Sequence, residues 1–360
     1  MTTDFVGAMD RVFGPWPILV FVLSVAALAA FGTFLALRYA QWRQMFDQPG
    51  QRRSHSQVTP RGGGIAMVVV VVATAWCLRP DGASSALIAF ILGLVAVAGV
   101  GWIDDHRPLS ARVRLVVHLL ASAAVAWSLS REDWLGVPWP EGVLGLVLIG
   151  VATLWLATCV NFWNFMDGSN GLVAIQSAFV GAVIVLWLAI AANLHDFAPP
   201  WAWLAMALSG ACLGFLPFNF PRARIFMGDV GSGGLGFVCG VLLLAVVAKN
   251  PTWFWPMLLP PSALLIDAAL TLASRILAGK NWTKPHREHL YQWLVRSGRS
   301  HARVALLYLA WGILVTVPCL VASANFPRWA PWIAVAELAS GALVWIVARR
   351  ALLRRNIRRG

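Results

Sequence analysis

Four aspartates stand at the polar ends of long apolar runs, where a carboxylate can bind a cation or move a proton. Asp104 and Asp105 end one run, Asp167 ends a second and Asp229 begins a third. A carboxylate at the edge of an apolar segment is costly to desolvate, so each is a functional candidate. The Asp104-Asp105 pair alone would also fit an acidic helix end balanced by nearby arginines. Together, the four aspartates predict a shared cation site.

Two amides precede Asp167 in the same run. On a helix, Asn161, Asn164 and Asp167 repeat at i, i+3 and i+6, which brings them roughly onto one face. Asn170 and the glycines beside it then permit a tight turn where the backbone can approach a ligand. An ordinary capped helix end explains Asn170, but it does not explain two amides inside an apolar run.

A third polar segment, residues 217–234, combines cations, an aromatic ring, a carboxylate and a glycine-rich run. This set suits a nucleotide diphosphate and its metal at the entrance of a helix. The glycines would equally serve close helix contacts, and different glycines can serve each purpose. The candidate binding residues of this segment are Asn219, Arg222, Phe226 and Gly228.

A fourth segment, residues 284–296, contains His286, Arg287 and His289. Two histidines at i and i+3 can hold a metal, but zinc would need further nitrogen or sulfur ligands that are not found nearby. The segment is basic and rich in hydrogen-bonding groups, so it fits a phosphate better.

The elements that position these residues are membrane helices. The 360 residues are 59% hydrophobic and only 12% charged, so the bilayer is the expected solvent for most of the surface. A spanning helix needs roughly 20 apolar residues, and we expect one all-α polytopic domain over residues 1–360. Eleven spans are predicted, or ten if two neighbours form one re-entrant element. They lie near 16–38, 63–79, 84–103, 113–130, 143–161, 171–192, 202–217, 234–249, 253–277, 303–322 and 330–349.

The cations predict the orientation of these spans. Of the 28 Lys and Arg residues, 23 lie in one set of alternating connections and their flanks. Cytoplasmic connections carry this excess, so the N-terminus is expected outside and the C-terminus in the cytoplasm. The net charge of +13 is divided among short segments rather than gathered on one face, which excludes nucleic acid as a partner. The polar motifs fall in the cytoplasmic connections 43–62, 104–114, 161–171, 218–233 and 278–300.

Taken in order, these motifs resemble the polyprenyl-phosphate N-acetylhexosamine-1-phosphate transferase superfamily. The resemblance is greatest to the initiating transferases of bacterial O-antigen and capsule assembly, and more distant to the phospho-MurNAc-pentapeptide translocase. It covers most of the chain from about residue 43 to 298. The matching segments are 54–64, 104–105, 164–168, 219–229 and 286–289.

The resemblance implies a role for each motif. Mg²⁺, or Mn²⁺ in its place, would be bound by Asp229, with Asp104, Asp105 and Asp167 as further candidate ligands and all four as catalytic residues. Phe226 would stack on uracil. The family usually has an aspartate where Asn170 stands, and asparagine keeps a carbonyl acceptor but loses the charge. The implied substrate-binding residues are Thr59, Arg61, Asn161, Asn164, Asn170, Asn219, Arg222, Phe226, Gly228, His286, Arg287 and His289.

The resemblance also implies the reaction. A sugar-1-phosphate would pass from a UDP-N-acetylhexosamine to undecaprenyl phosphate in the bacterial inner membrane, with release of UMP into the cytoplasm. UDP-GlcNAc and deoxy derivatives such as UDP-FucNAc and UDP-QuiNAc are the candidate donors. The product would be the first lipid-linked sugar of a cell-surface polysaccharide, and a homodimer is compatible with the sequence.

Two other functions are considered. An ion-coupled transporter also carries intramembrane acids, but it should place them near the midplane of the bilayer. Most acids here lie at the ends of spans. Asp267 is the exception, and it is either a structural partner of Arg275 or part of the site. A purely structural scaffold for glycan assembly would leave the polar motifs unexplained.

Overall fold

The computed structural model describes residues 17–47, 58–78, 85–131, 140–191, 199–281 and 286–357. Residues 54–57 of the first motif and the N-terminal residues 1–16 lie outside this described part. The expected all-α architecture is confirmed, apart from a two-residue antiparallel pair in which β1 (Phe46–Asp47) meets β2 (Thr59–Pro60).

Fourteen α-helices make up most of the described chain. In chain order they are α1 (Pro17–Trp42), α2 (Ile65–Cys77), α3 (Ser85–His106), α4 (Ala111–Leu129), α5 (Gly142–Met166), α6 (Leu172–Ala191), α7 (Pro199–Asn219), α8 (Asp229–Lys249), α9 (Phe254–Met257), α10 (Ser262–Leu277), α11 (Leu290–Arg296), α12 (His301–Trp311), α13 (Val317–Asn325) and α14 (Ala330–Ile357).

The spans are less uniform than expected. Within the described ranges, nine helices are long and apolar enough to cross a membrane, with α12 and α13 joined as one through the π-helical turn Gly312–Thr316. The predicted span 63–79 contains only the 13 residues of α2. The predicted span 253–277 is broken, because α9 and α10 are bent by 74° relative to each other. Pro260 and Pro261 stand at this break, where proline cannot continue the hydrogen-bond ladder of a helix.

Helix α8 is the centre of the bundle. Its most apolar window is 89% buried, against 17% for the peripheral α1. Helices α3 and α5 pack along it. The first turns of α8 contain small residues, so its backbone can approach its neighbours closely. A Cβ added to Gly64, just before α2, would collide with the α8 backbone at Gly231. This contact fixes the start of α2 against the start of α8.

Candidate active site

Asp105 joins the end of α3 to the start of α8. Its buried carboxylate accepts hydrogen bonds from the backbone N–H groups of Asp229, at 3.0 Å, and Val230, at 3.2 Å. Gly228, just before α8, has a φ of +77°, and a Cβ there would strike the Asp105 carboxylate. Glycine is therefore required at residue 228, by both its backbone conformation and the close approach. This requirement is structural, and the substrate-binding role expected for Gly228 stays a prediction.

Arg61 binds two of the predicted carboxylates. Its guanidinium pairs with Asp105 and lies 3.6 Å from Asp229 Oδ1. Burial lowers the pKa of Arg61, but the charges of Asp105 and Asp229 outweigh this effect, and the pKa is raised overall. The side chain therefore stays cationic between the carboxylates.

Arg114, on α4, is the second arginine that pairs with these aspartates, and it was absent from the predicted site. It donates to Asp104 Oδ2 at 3.0 Å and to Asp229 Oδ2 at 2.6 Å, while Asp104 Oδ1 accepts from the Leu109 N–H at 2.6 Å. The signal was present in the sequence, since Arg114 lies one turn inside an apolar helix where cations are rare. In the prediction from sequence, Arg114 is only one of the cytoplasmic cations that orient the spans.

The two asparagines of α5 have different hydrogen-bond partners. Asn164 donates to Ser232 in the first turn of α8 at 3.2 Å. Asn161 instead donates to the carbonyl of Ala157 in its own helix at 2.7 Å. Ser232, the partner of Asn164, was not predicted.

Asp167 follows α5 directly and completes the group. Burial raises the pKa of its carboxyl well above the ordinary value, and the negative charges of Asp229 and Asp105 raise it further. Among the described residues its carboxylate has no hydrogen-bond donor. We call the four aspartates Asp104, Asp105, Asp167 and Asp229, with Arg61 and Arg114, the carboxylate cluster.

Asn219 holds the loop before α8 in place. Its Oδ1 accepts from the N–H of Gly171 at 2.7 Å, and its Nδ2 donates to the carbonyl of Ile225 at 2.9 Å. Both ends of this buried amide are therefore occupied by backbone. Asn170 belongs to the same junction, with its Nδ2 3.4 Å from the carbonyl of Pro221. At this junction the two asparagines link the 168–171 turn to the 219–228 loop.

The same loop presents Phe226 beside the first motif. The Phe226 N–H donates to the carbonyl of Pro60 at 2.7 Å, and its carbonyl accepts from the Gly63 N–H at 2.9 Å. Its ring is half-buried, whereas Arg222 is exposed and Thr59 is buried. The structure therefore brings Phe226, Thr59 and Arg61 together and leaves Arg222 at the rim.

The histidine segment meets α5 from the other side. The rings of His286 and His289 are 5.0 Å apart, and His289 lies 6.2 Å from Phe165. Burial lowers the pKa of His286 to about 4, with help from His289 and Arg275. Burial likewise lowers the pKa of His289. His286 is therefore a neutral imidazole at neutral pH, able to donate one hydrogen bond and accept another, and His289 favours the same form.

A second group of charges surrounds this segment. Glu288 pairs with Arg275, lies 3.1 Å from Lys280 and lies 3.9 Å from Arg349. Burial raises the pKa of Glu288, but Lys280 and Arg275 outweigh that effect and lower it overall. We call these four residues the Glu288 cluster. Arg275 is thus paired with Glu288, and the alternative that made it the partner of Asp267 is wrong. Arg287 is half-buried in the same segment.

The donor set of the carboxylate cluster fits a hard divalent cation. In the described residues no three His, Cys, Asp or Glu side chains are grouped closely enough to form a protein cage for a metal. Mg²⁺ does not need such a cage, because it keeps several waters and uses one or two carboxylates plus substrate phosphates. The carboxylate of Asp167, which has no donor among these residues and lies near two like charges, is a suitable ligand for a cation.

Comparisons with known proteins show which family the chain belongs to. The profile of glycosyl transferase family 4 matches residues 87–247. The chain is 30% identical over 328 residues to the decaprenyl-phosphate N-acetylglucosaminephosphotransferase of Mycobacterium leprae, covering 80% of this chain and 79% of that one.

Two further relatives cover similar shares. A probable undecaprenyl-phosphate N-acetylglucosaminyl 1-phosphate transferase of Bacillus subtilis is 28% identical over 76% of each chain. The phospho-N-acetylmuramoyl-pentapeptide-transferase of Acaryochloris marina is 29% identical over 69% of this chain and 68% of that one. The chain therefore belongs to glycosyl transferase family 4, within the polyprenyl-phosphate N-acetylhexosamine-1-phosphate transferase superfamily that its motifs resemble.

Proposed function

We propose that this protein transfers a sugar-1-phosphate from a UDP-N-acetylhexosamine to a polyprenyl phosphate and releases UMP. The observation that carries the proposal is the carboxylate cluster, in which Arg61 and Arg114 bridge aspartates from the ends of α3 and α8. Relatives named for N-acetylglucosamine phosphate transfer to decaprenyl or undecaprenyl phosphate support the donor and acceptor classes. UDP-GlcNAc or one of its deoxy derivatives is the proposed donor, and undecaprenyl phosphate is the proposed acceptor.

The chemical obstacle is the approach of two anions. The acceptor phosphate has a second pKa of about 6, so it is already mostly dianionic at neutral pH and needs no obligatory base. Arg61 and Arg114 are each shared between two carboxylates, which leaves their guanidinium groups able to exchange one partner for a phosphate oxygen. Mg²⁺ bound at Asp229, with Asp104, Asp105 or Asp167 assisting, would neutralise charge on the transferred phosphoryl group.

The donor is proposed to lie between the α5 end and the loop before α8. Phe226 would stack on uracil, because its ring is half-buried at the edge of the cluster. Asn164 and Asp167 would face the diphosphate from α5. His286 and His289, held neutral by burial, would hydrogen-bond to phosphate or sugar. The 168–171 turn, fixed by Asn219, allows the backbone to approach the ligand.

The proposed location is the bacterial inner membrane, with this site facing the cytoplasm. The Lys and Arg excess at the connections that bear the motifs supports this orientation. There the lipid-linked sugar would serve as the first unit of a cell-surface polysaccharide such as O-antigen.

One assay tests the proposal directly. Purified protein is incubated with UDP-GlcNAc, undecaprenyl phosphate and Mg²⁺, and UMP and the lipid-linked sugar are measured together. Equal amounts of both products are expected, with neither formed when the lipid or the divalent cation is omitted. Release of UMP without lipid product would indicate hydrolysis. Ion flux in proteoliposomes without any UMP would favour the transporter.

A further inference from the structure

One intramembrane carboxylate, Asp267 on α10, is surrounded by donors from four parts of the chain. Its Oδ1 accepts from the Leu290 N–H at 2.7 Å and from Trp345 Nε1 at 2.9 Å. Its Oδ2 accepts from the Tyr308 hydroxyl at 2.7 Å and from the Tyr291 N–H at 3.2 Å. The Thr271 hydroxyl adds a fifth bond at 3.2 Å. Such a fully satisfied buried carboxylate defines one geometry for everything bonded to it.

The backbone bonds to Asp267 come directly after His289. The N–H of His289 is satisfied by Gln292 Oε1 at 3.2 Å, and the next two N–H groups by Asp267. The His289 ring is 3% exposed, its Nδ1 lies 3.9 Å from Asp267 Oδ1, and that nitrogen has no hydrogen-bond partner among the described residues. Asp267 therefore fixes the backbone that carries His289 and faces one nitrogen of its ring.

The same segment contacts the end of α5. The hydroxyl of Tyr291 donates to the carbonyl of Phe165 at 3.1 Å, and a Cβ on Gly168 would collide with that hydroxyl. Residues 165 and 168 flank Asp167, a member of the carboxylate cluster. A continuous series of contacts thus runs from Asp267 through residues 289–291 to residues 165 and 168, on either side of Asp167.

We propose that Asp267 is a positioning residue that holds His289 and Tyr291 against the α5 end of the active site. This inference rests on the proposed transferase function and assigns Asp267 no contact with substrate. A carboxylate is required because both of its oxygens only accept hydrogen bonds, whereas an amide replaces one oxygen by an NH2 group that would face two or three of the five donors. The alternative is that Asp267 only joins α10 to α12 and α14 through Tyr308 and Trp345.

The chain offers matched controls for that alternative. Tyr308→Phe and Trp345→Phe each remove one donor from α12 or α14, and both leave the bonds to the 290–291 backbone in place. Asp267→Asn should lower kcat by about 100-fold, the cost of displacing a site group by roughly 1 Å. The two Phe variants should keep kcat close to that of the wild type. Every rate is normalised to the folded fraction of that variant, measured as the fraction of protein that stays monodisperse in detergent.

A double variant tests whether Asp267 acts through His289. If it does, the double variant Asp267→Asn with His289→Ala should be no slower than the slower single variant, because both substitutions remove the same contribution of His289 to turnover. Additive losses would overturn the proposal. Equal losses of kcat in Asp267→Asn, Tyr308→Phe and Trp345→Phe would also overturn it, since all three would then report only helix packing.

A readout without turnover separates this inference from the proposed function. Diethylpyrocarbonate modification, quantified per peptide by mass spectrometry, should label His289 several-fold faster in Asp267→Asn than in the wild type. The buried His118 on α4 should not change and serves as the internal control. If the wild type fails to form UMP but His289 is still released by Asp267→Asn, the function is wrong and the positioning stands. Unchanged His289 labelling overturns the positioning.

Discussion

The carboxylate cluster and the Glu288 cluster both consist of ion pairs, but their net charges have opposite signs. In the first, two arginines face four aspartates, so negative charge is left over. In the second, Arg275, Lys280 and Arg349 surround Glu288, so positive charge is left over. Excess carboxylate suits a divalent cation, and excess cation suits a phosphate. The α5 end contacts α8 through Asn164 and the 289–291 segment through Phe165, so the proposed nucleotide sugar and its cation are expected to meet both clusters there.

The largest expected effect comes from Asp229, which contacts both arginines. Asp229→Asn should lower kcat by about 100- to 1,000-fold, because an amide lacks the charge of a metal ligand and no longer balances Arg61 and Arg114. UMP release at ordinary Mg²⁺ is the measurement. The exposed Glu141→Gln provides a matched loss of charge away from the cluster and should leave kcat unchanged. Near-normal turnover in Asp229→Asn would remove the cation from this cluster.

The next effect separates Asp104 from Asp105. Asp105→Asn should lose more activity than Asp104→Asn, because only Asp105 holds the start of α8 through two backbone N–H groups. The deficits should not depend on pH above about 6, where the acceptor phosphate is already deprotonated. A pH–rate profile with saturating Mg²⁺ and lipid checks this. A variant that regains its rate as the pH rises would instead identify a general base, and full activity in both would exclude the pair.

Nucleotide affinity should respond to Phe226. Phe226→Ala should weaken UMP binding by about 1–3 kcal/mol if the ring stacks on uracil, and Phe226→Trp should be milder. Calorimetric titration of UMP gives the affinities. The control is Phe254→Ala, which removes a half-exposed ring beyond the opposite end of α8. Equal affinity in Phe226→Ala and the wild type would make this ring ordinary packing.

The like charges around Asp167 predict a pH-dependent stability. The folded-state pKa of Asp167 is raised by burial and by its acidic neighbours, so its contribution is favourable below the unfolded pKa of about 4 and is lost as pH rises through the folded value. Without divalent cations, Asp167→Asn should therefore melt a few degrees above the wild type at pH 8 and near it at pH 4. Mg²⁺ should reduce the difference in melting temperature at pH 8. A difference that does not change with pH would contradict the raised pKa of Asp167.

The smallest effect is expected at the rim of the Glu288 cluster. Lys280 is half exposed, and exposed ion pairs contribute about 0–1 kcal/mol. Lys280→Gln should change the melting temperature very little and raise the KM for the UDP-sugar only slightly. Arg131→Gln, in a different connection, is the control for lost charge. A large rise in KM would show that Lys280 contacts the phosphates itself.

Much of the fold followed from the length of the apolar runs, but its two irregular spans did not. Each predicted apolar run contains a helix, although residues 258–261 interrupt the run 253–277, because apolar stretches of this length have few other stable forms in a bilayer. Pro260 and Pro261 mark this break in the sequence, because proline cannot continue the hydrogen-bond ladder of a helix. The contact between Gly64 and Gly231 at the start of α2 was not predictable, because the two glycines are distant in sequence.

The acidic residues of the candidate site could be predicted from the sequence, but their hydrogen-bond and ion-pair partners could not. Asp104, Asp105 and Asp229 were found because carboxylates are rare at the edges of apolar runs. Arg114 and Ser232 were missed, since each gains its meaning from a partner on another helix. The hydrogen-bond partners of Asp267 were not predictable for the same reason. Its donors come from α10, α11, α12 and α14, and no local spacing connects them.

The short helix α2 has a consequence for the membrane around the protein. Its 13 residues rise only about 20 Å, against a hydrocarbon thickness of about 30 Å. We expect lipids beside α2 to thin or tilt to match it, at a modest cost per ångström of mismatch. The bilayer surface would then dip near Arg61, so that a lipid phosphate could reach the arginine without being lifted from its leaflet. Turnover should accordingly vary with the acyl-chain length of the surrounding lipids.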